Sequence, residues 1–255
     1  MNSIKIYDLL KLAKNLAKDA GATLLDANLD LRKFHFDPKN IKEVKSLADE
    51  VLDRIIFMGL MPTKIPILSE ESGLMQDQPE AEFRWIVDPL DGTFNFIKGL
   101  GACAISIALW EKKRPIFGVI YDIQGEILYW GGANIGSFSG DDEIQVSNTS
   151  NKNEASVCTG FPARLEMKSD RDILVYWEQI KPFSKIRMLG SAAISLVNVA
   201  KGCSEAYMEK NIMIWDVAAG LAIVEGAGGV FTHTSGTIPF SLDVSAANKA
   251  SMLAI

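Results

Sequence analysis

The sequence predicts an α/β fold, on three observations. Apolar residues recur at helical spacing near the N-terminus and again after Ile41. Between Ile65 and Trp130, several short apolar runs bounded by charged or turn-forming residues read as strands. Past the polar stretch Ser147–Asn153, the alternation of strand and helix starts again at Ala155. The chain therefore divides into an N-terminal α/β half, 1–146, and a C-terminal α/β half, 147–255.

Ile4, Ile6, Leu9, Leu10, Ala13, Leu16, Ala17 and Ala20 mark the first amphipathic helix, and Gly21 is either its C-terminal break or a close-packing point. Leu29–Phe36 fits neither period. Ile41–Met58 is predicted as a second helix, with Ile41, Val44, Leu47, Ala48, Val51, Leu52, Ile55 and Ile56 on its apolar face. Ile65–Leu68 is a strand delivering Glu70 and Glu71, and the loop Gly73–Glu82 leads to the apolar run Trp85–Val87. Ala102–Trp110 and Ile116–Tyr121 are strands separated by a charged turn. Glu126–Trp130 pairs with the second of them as a hairpin across Asp122–Gly125. Gly131–Gly140 is loop and strand punctuation, since no helix with a Gly-Lys-Ser start follows it. Ile144–Val146 is a short strand.

In the second half, Ala155–Phe161 starts a strand, Asp170–Ile180 is a helix and Lys185–Met188 a strand. Gly190-Ser191-Ala192-Ala193 opens the helix Ile194–Lys201; its amides suit a ligand, although close packing would select the same small residues. Ala206–Glu209 is a strand ending in an acid, Val217–Ala227 a helix headed by Asp216, and the tail from Gly228 holds two or three short strands.

A hydrophobic content of 48% over 255 residues is ample for a large core. The net charge of −6 argues against a nucleic-acid partner. Cys103, Cys158 and Cys203 are odd in number and lack zinc spacing, which predicts reduced thiols in a cytoplasmic protein. No signal-peptide pattern opens the chain and no apolar run reaches membrane-spanning length, so no membrane partner is expected. His35 and His233 are isolated, without a second histidine at ligand spacing.

Three acidic stations carry the chemistry. The run Trp85-Ile86-Val87 ends in Asp88-Pro89-Leu90-Asp91-Gly92-Thr93. Proline fixes its own φ and disfavours a helical Asp88, while Gly92 permits positive φ or close approach. Two carboxylates on such an end can hold Mg²⁺, a hard cation that takes oxygen ligands, and the amides of Gly92 and Thr93 can face a phosphate. Alone, the same pattern is an ordinary turn. The other stations, Ile67-Leu68-Ser69-Glu70-Glu71-Ser72 and Trp215-Asp216-Val217-Ala218-Ala219-Gly220, change that reading. Three acidic ends make a metal cluster.

Glu70-Glu71-Ser72, Asp88-Pro89-Leu90-Asp91-Gly92-Thr93 and Trp215-Asp216-Val217-Ala218-Ala219-Gly220 together resemble the inositol monophosphatase family, in order and in spacing, from the first helix to about Gly229. The resemblance implies a layered α-β-α-β-α sandwich and Mg²⁺-dependent, lithium-sensitive hydrolysis of a phosphate monoester, with two or three ions per subunit. It implies metal ligation by Glu70, Asp88, Asp91, Asp216 and the carbonyl of Leu90, with Asp88 bridging. Thr93 is implied to orient the attacking water, with Asp49 or Glu71 behind it. Ser46-Leu47-Ala48-Asp49 is similar to the family's Thr-x-x-Asp, with serine for threonine; Asp49 reads equally well as a solvent-facing helix acid. Gly92, Thr93, Gly190, Ser191, Ala192, Glu209 and Asp216 are the implied substrate contacts. The family's lysine in the altered region falls to Lys33 or Lys39, and a homodimer is implied.

The expected partner is a small phosphorylated substrate, inositol monophosphate or a similar polyol or sugar phosphate. No side-chain nucleophile and no Asp-x-Asp phospho-aspartate signature is needed, so water attacks directly. An adenosine 3',5'-bisphosphate nucleotidase with the same metal core, or a non-catalytic regulatory binding partner, are the alternatives.

Overall fold

Residues 3–25, 31, 33–37, 40–75, 81–161 and 170–252 are described by the structure, a computed structural model. Helix α1 (Ser3–Leu25) is followed by a hairpin of β1 (Phe34–Asp37) and β2 (Asn40–Ser46), then α2 (Leu47–Leu60), β3 (Ile67–Ser69), β4 (Gly73–Met75), β5 (Phe83–Asp91) and the short α3 (Thr93–Lys98). A meander of β6 (Ala104–Glu111), β7 (Arg114–Asp122), β8 (Ile127–Gly132), β9 (Gly136–Ser139) and β10 (Asp142–Glu143) completes the first sheet. The second part holds β11 (Ser156–Thr159), α4 (Asp170–Ile180), β12 (Lys185–Arg187), α5 (Ala192–Ala200), β13 (Ala206–Met213), α6 (Ile214–Gly226), β14 (Val230–Ser235), β15 (Ser241–Ala247) and α7 (Lys249–Met252).

The first large sheet has the order β10-β9-β8-β7-β6-β5-β3-β4 and the second β12-β11-β13-β15-β14. Side-chain alternation along the strands sorts the molecule into five layers. Trp85 and Val87 of β5, with Ile105, Ile107 and Leu109 of β6, face a core built with α1 and α2. The intervening Ile86, Ala104 and Ala108 face the opposite way, toward α5, α6 and the second sheet. In β13, Tyr207 belongs to that central core, whereas Ala206 and Met208 face Tyr176 and Ile180 of α4. The order is helices, sheet, helices, sheet, helix: the expected α-β-α-β-α sandwich. Helix α6 is buried on nearly every side because it lies between two sheets, which explains its small and apolar composition.

Several boundaries differ from expectation. Helix α1 continues through Gly21 to Leu25, and a Cβ at Gly21 would lie 2.2 Å from the Tyr121 ring, so this glycine is a packing point and not a break. The predicted helix Ile41–Met58 is strand up to Ser46: Phe34 pairs with Ser46 and Phe36 with Val44 in an antiparallel hairpin. The helix starts only at Leu47, where the Asp49 carboxylate accepts from the amide of Ser46, the N-cap residue, as in a capping box. Asp142–Glu143, not Ile144–Val146, pairs with β9. Glu209 lies inside β13 rather than at its end. Asp216 sits inside the first turn of α6, behind an N-cap at Met213, and so does not head the helix.

Candidate metal centre and substrate cleft

The centre is built on β5. Its partner β3 runs parallel, with Ser69 opposite Val87, and the amide of Glu70 continues the ladder to the Val87 carbonyl at 3.2 Å. This register sets Glu70 beside Asp88. On the other side, Asp88 pairs with Ser106 but Asp91 pairs with Ala104, so β5 carries one extra residue there, a bulge. Pro89 has no N–H for the ladder, and Asp88 Oδ1 takes the amide of Leu90 at 2.9 Å. The bulge thereby turns successive carboxylates out of the sheet.

One oxygen each from Glu70, Asp88 and Asp216 lie within 4.8 Å of one another. Asp216 comes from the first turn of α6, where the helix dipole favours an anion. Asp88 is only 1% exposed. Burial, then Glu70, Asp91 and Asp216, drive its carboxyl well above the ordinary value of 3.8. A buried carboxylate with two half-buried ones at this distance is repelled strongly unless protons or a cation intervene. An all-oxygen donor set of this kind fits Mg²⁺.

Asp91 is placed differently. Its Oδ2 accepts from Ser191 Oγ at 2.5 Å and from the amide of Ala193 at 2.7 Å, which ties β5 to the start of α5. Burial nevertheless raises it to about 6, with those hydrogen bonds opposing the shift. Gly92 follows at φ 82°, and a Cβ there would lie 2.6 Å from the Ala102 carbonyl oxygen, so only glycine fits. Asn95 joins the two parts of the chain, donating from Nδ2 to Ala102 O (2.9 Å) and Leu189 O (2.7 Å).

Thr93 Oγ1 lies 2.9 Å from Asp49 Oδ1 and 3.0 Å from the Leu90 carbonyl, two acceptors for one hydroxyl proton. Asp49 Oδ2 accepts from both the amide and the hydroxyl of Ser46, each at 2.6 Å. Burial raises Asp49, against the Ser46 and Thr93 hydrogen bonds that lower it. Asp49 is therefore no solvent-facing acid. Glu71 turns elsewhere, pairing with Lys45 Nζ at 2.6 Å; burial raises its carboxyl, and Lys45 opposes this. Lys33 is exposed, and Lys39 lies outside the described residues.

Between the two sheets' ends opens a cleft of about 300 Å³, lined by Asp91, Gly92, Thr93 and Phe94 on one side and Gly160, Gly190, Ser191, Ala192, Glu209 and Asp216 on the other. Glu209 is buried, and burial lifts its carboxyl from 4.5 to about 7, with the Tyr207 hydrogen bond opposing and Asp91 adding. The structure thus brings together every expected substrate contact and the cluster Glu70, Asp88 and Asp216. Asp53 is a residue that the sequence reading missed. One turn beyond Asp49, it accepts from Ser69 Oγ at 2.5 Å and from Ser72 Oγ, gripping both flanks of Glu70-Glu71. An acid at i+4 from Asp49 on an otherwise apolar helix face was the available signal.

Residues 6–254 match the family model described as Inositol monophosphatase family. The chain is 33% identical, over 98% of its length and 94% of the relative's, to a protein of Aquifex aeolicus (strain VF5) named Fructose-1,6-bisphosphatase/inositol-1-monophosphatase. It is 34% identical, over 84% of its length and 77% of the relative's, to the Nus factor SuhB of Xylella fastidiosa. Among solved structures it is similar to an inositol monophosphatase from Anabaena (Nostoc) sp. PCC 7120, with a TM-score of 0.81 at 28% identity, covering 98% of this chain and 97% of that one.

Proposed function

Because the chain belongs to the inositol monophosphatase family, we propose that it is a Mg²⁺-dependent hydrolase that cleaves inositol monophosphate, or a similar small polyol or sugar phosphate, by direct attack of water. The observation that carries this reading is the convergence of Glu70, Asp88 and Asp216 within 4.8 Å, next to a threonine bonded to a buried aspartate. These three carboxylates, with Asp91 and the Leu90 carbonyl, would hold two or three ions per subunit. Bound Mg²⁺ supplies charge neutralisation for the phosphate dianion and a more acidic water.

The chain's own residues do the rest. The Thr93 proton is directed at Asp49 or Leu90, so its oxygen keeps a lone pair with which to accept from the attacking water. Asp49, made more basic by burial, receives the proton that Thr93 relays. Gly92 and Thr93 hold the phosphate, while Gly190, Ser191, Ala192 and Glu209 face the alcohol part of the ester. Lithium inhibition, a cytoplasmic location and a homodimer are carried by the family resemblance.

A second reading, a regulatory protein that binds without turning over a substrate, is favoured by one observation: a relative of 34% identity is named Nus factor SuhB. A phosphate-release panel with Mg²⁺ separates the readings, using inositol 1-phosphate, fructose 1,6-bisphosphate, adenosine 3',5'-bisphosphate and p-nitrophenyl phosphate. Preference for a polyol or sugar phosphate is expected. Preference for the adenosine bisphosphate would replace the substrate assignment, and no release from any compound would leave the binding role.

A further inference from the structure

Glu209 is held from two sides. Tyr207, two residues earlier on the same face of β13, is fully buried in the central core, and its hydroxyl donates to Glu209 Oε2 at 2.8 Å. A phenol buried this deeply needs a partner, since an unmatched buried hydroxyl is destabilising. From the other side comes Gly160. A Cβ there would lie 2.6 Å from Glu209 Oε1, 2.8 Å from Oε2 and 2.9 Å from Cδ. Gly160 is itself fixed, its carbonyl accepting from Tyr176 at 3.2 Å. It also lines the cleft, so the missing side chain leaves this carboxylate facing the space that Asp91 and Asp216 share.

We propose that Tyr207 is a positioning residue for substrate choice: with Gly160 it commits one oxygen of Glu209 to the phenol and presents the other to a hydroxyl of the bound phosphate ester. The inference rests on the phosphatase reading given above. Tyr207 touches no substrate; it acts through Glu209 alone. A carboxylate fixed in this way accepts a hydroxyl proton without reorganising, and a site built for such a bond rejects analogues that lack it. Without the phenol, the Glu209 side chain swings between rotamers and its acceptor is no longer aimed.

The test compares Tyr207→Phe, Gly160→Ala and Glu209→Gln with the unmodified protein, all loaded with Mg²⁺. The substrates are inositol 1-phosphate and p-nitrophenyl phosphate, which has no hydroxyl to recognise. Tyr207→Phe and Gly160→Ala are each expected to raise KM for inositol 1-phosphate about tenfold, the loss of one well-aimed charge-assisted hydrogen bond. Constants for p-nitrophenyl phosphate stay within about twofold, and Glu209→Gln shows the same split. Gly160→Ala is the safeguard if Tyr207→Phe fails to fold, since the three atoms nearest its new methyl all belong to the end of the flexible Glu209 side chain. The inference is overturned if Glu209→Gln raises KM while the other two leave it unchanged, with the phosphatase reading intact. Equal losses on both substrates would reduce Tyr207 and Gly160 to structural roles and overturn it too. An unmodified protein that releases phosphate from neither compound would instead overturn the phosphatase reading, and this inference with it.

Discussion

Asp49→Asn separates water orientation from metal binding. In the native site, Asp49 Oδ2 accepts the Ser46 amide at 2.6 Å and Oδ1 accepts the Thr93 hydroxyl at 2.9 Å. A backbone N–H cannot reverse its polarity, so the carbonyl oxygen of the asparagine must take the Ser46 side. Its NH₂ then faces Thr93 Oγ1 and donates to it. The Thr93 proton shifts wholly to the Leu90 carbonyl, 3.0 Å away, and the amide that replaces the carboxylate cannot accept a relayed proton. The relay is blocked with almost no change of shape. General base assistance of this kind is worth about 10²–10⁴ in rate, so kcat should fall by that factor. Stability should fall by only about 1 kcal/mol, the typical value of a cap, because the Ser46 amide keeps an acceptor. For a chain of this size that is a drop of about 2–4 °C in Tm. The assay is phosphate release at saturating Mg²⁺, paired with calorimetric titration of Mg²⁺, whose affinity should hold. A kcat within tenfold of the unmodified protein would refute the relay, as would a loss explained by weaker metal binding.

Asp88→Asn should abolish Mg²⁺ binding by calorimetry and nearly all turnover in a folded protein, because Asp88 is the buried member of the cluster with Glu70 and Asp216; ordinary binding would remove it from the ligand set. Asp53→Asn should weaken Mg²⁺ affinity about tenfold, on the order of the 1.4 kcal/mol expected for one charge-assisted bond, while kcat at saturating Mg²⁺ holds. An unchanged Mg²⁺ titration would show that the serine clamp does not position Glu70. In metal-free protein, Asp91 is raised to about 6 and Asp88 rises above 3.8, so both favour the fold when protonated. That stability is fully present below the ordinary aspartate value and is lost as pH rises through the folded values. Between pH 5 and 7, metal-free Tm should therefore fall more in the unmodified protein than in Asp88→Asn, and added Mg²⁺ should raise Tm more at pH 7 than at pH 5. Parallel Tm curves for the two proteins would contradict the repulsion argument.

What could be read from the sequence was local. Each acidic station joins an apolar run to a carboxylate and a turn-former within a few residues, and Asp170–Ile180 folds as a helix at its expected bounds. Ile41 and Val44 misled because a single pair of apolar residues is too short to fix a period; the decision lies in antiparallel pairing with Phe34–Asp37. Ser46 carried a boundary signal, a serine three residues before an acid, that was available but points to the cap only once the strand is known. Asn95 meets Leu189 and Asp91 meets Ser191, contacts about a hundred residues apart that no local pattern encodes. Tyr207 looked like any strand tyrosine until its hydroxyl was seen against Glu209.

The most direct test of the account is inositol 1-phosphate turnover by the unmodified protein with Mg²⁺ and after its removal by chelation, with Mg²⁺ binding followed by calorimetry in the same samples. Phosphate release that appears with site occupancy, vanishes on chelation and returns with added Mg²⁺ is the predicted result. Stoichiometric Mg²⁺ binding with no phosphate release, or release that persists after chelation, would contradict it.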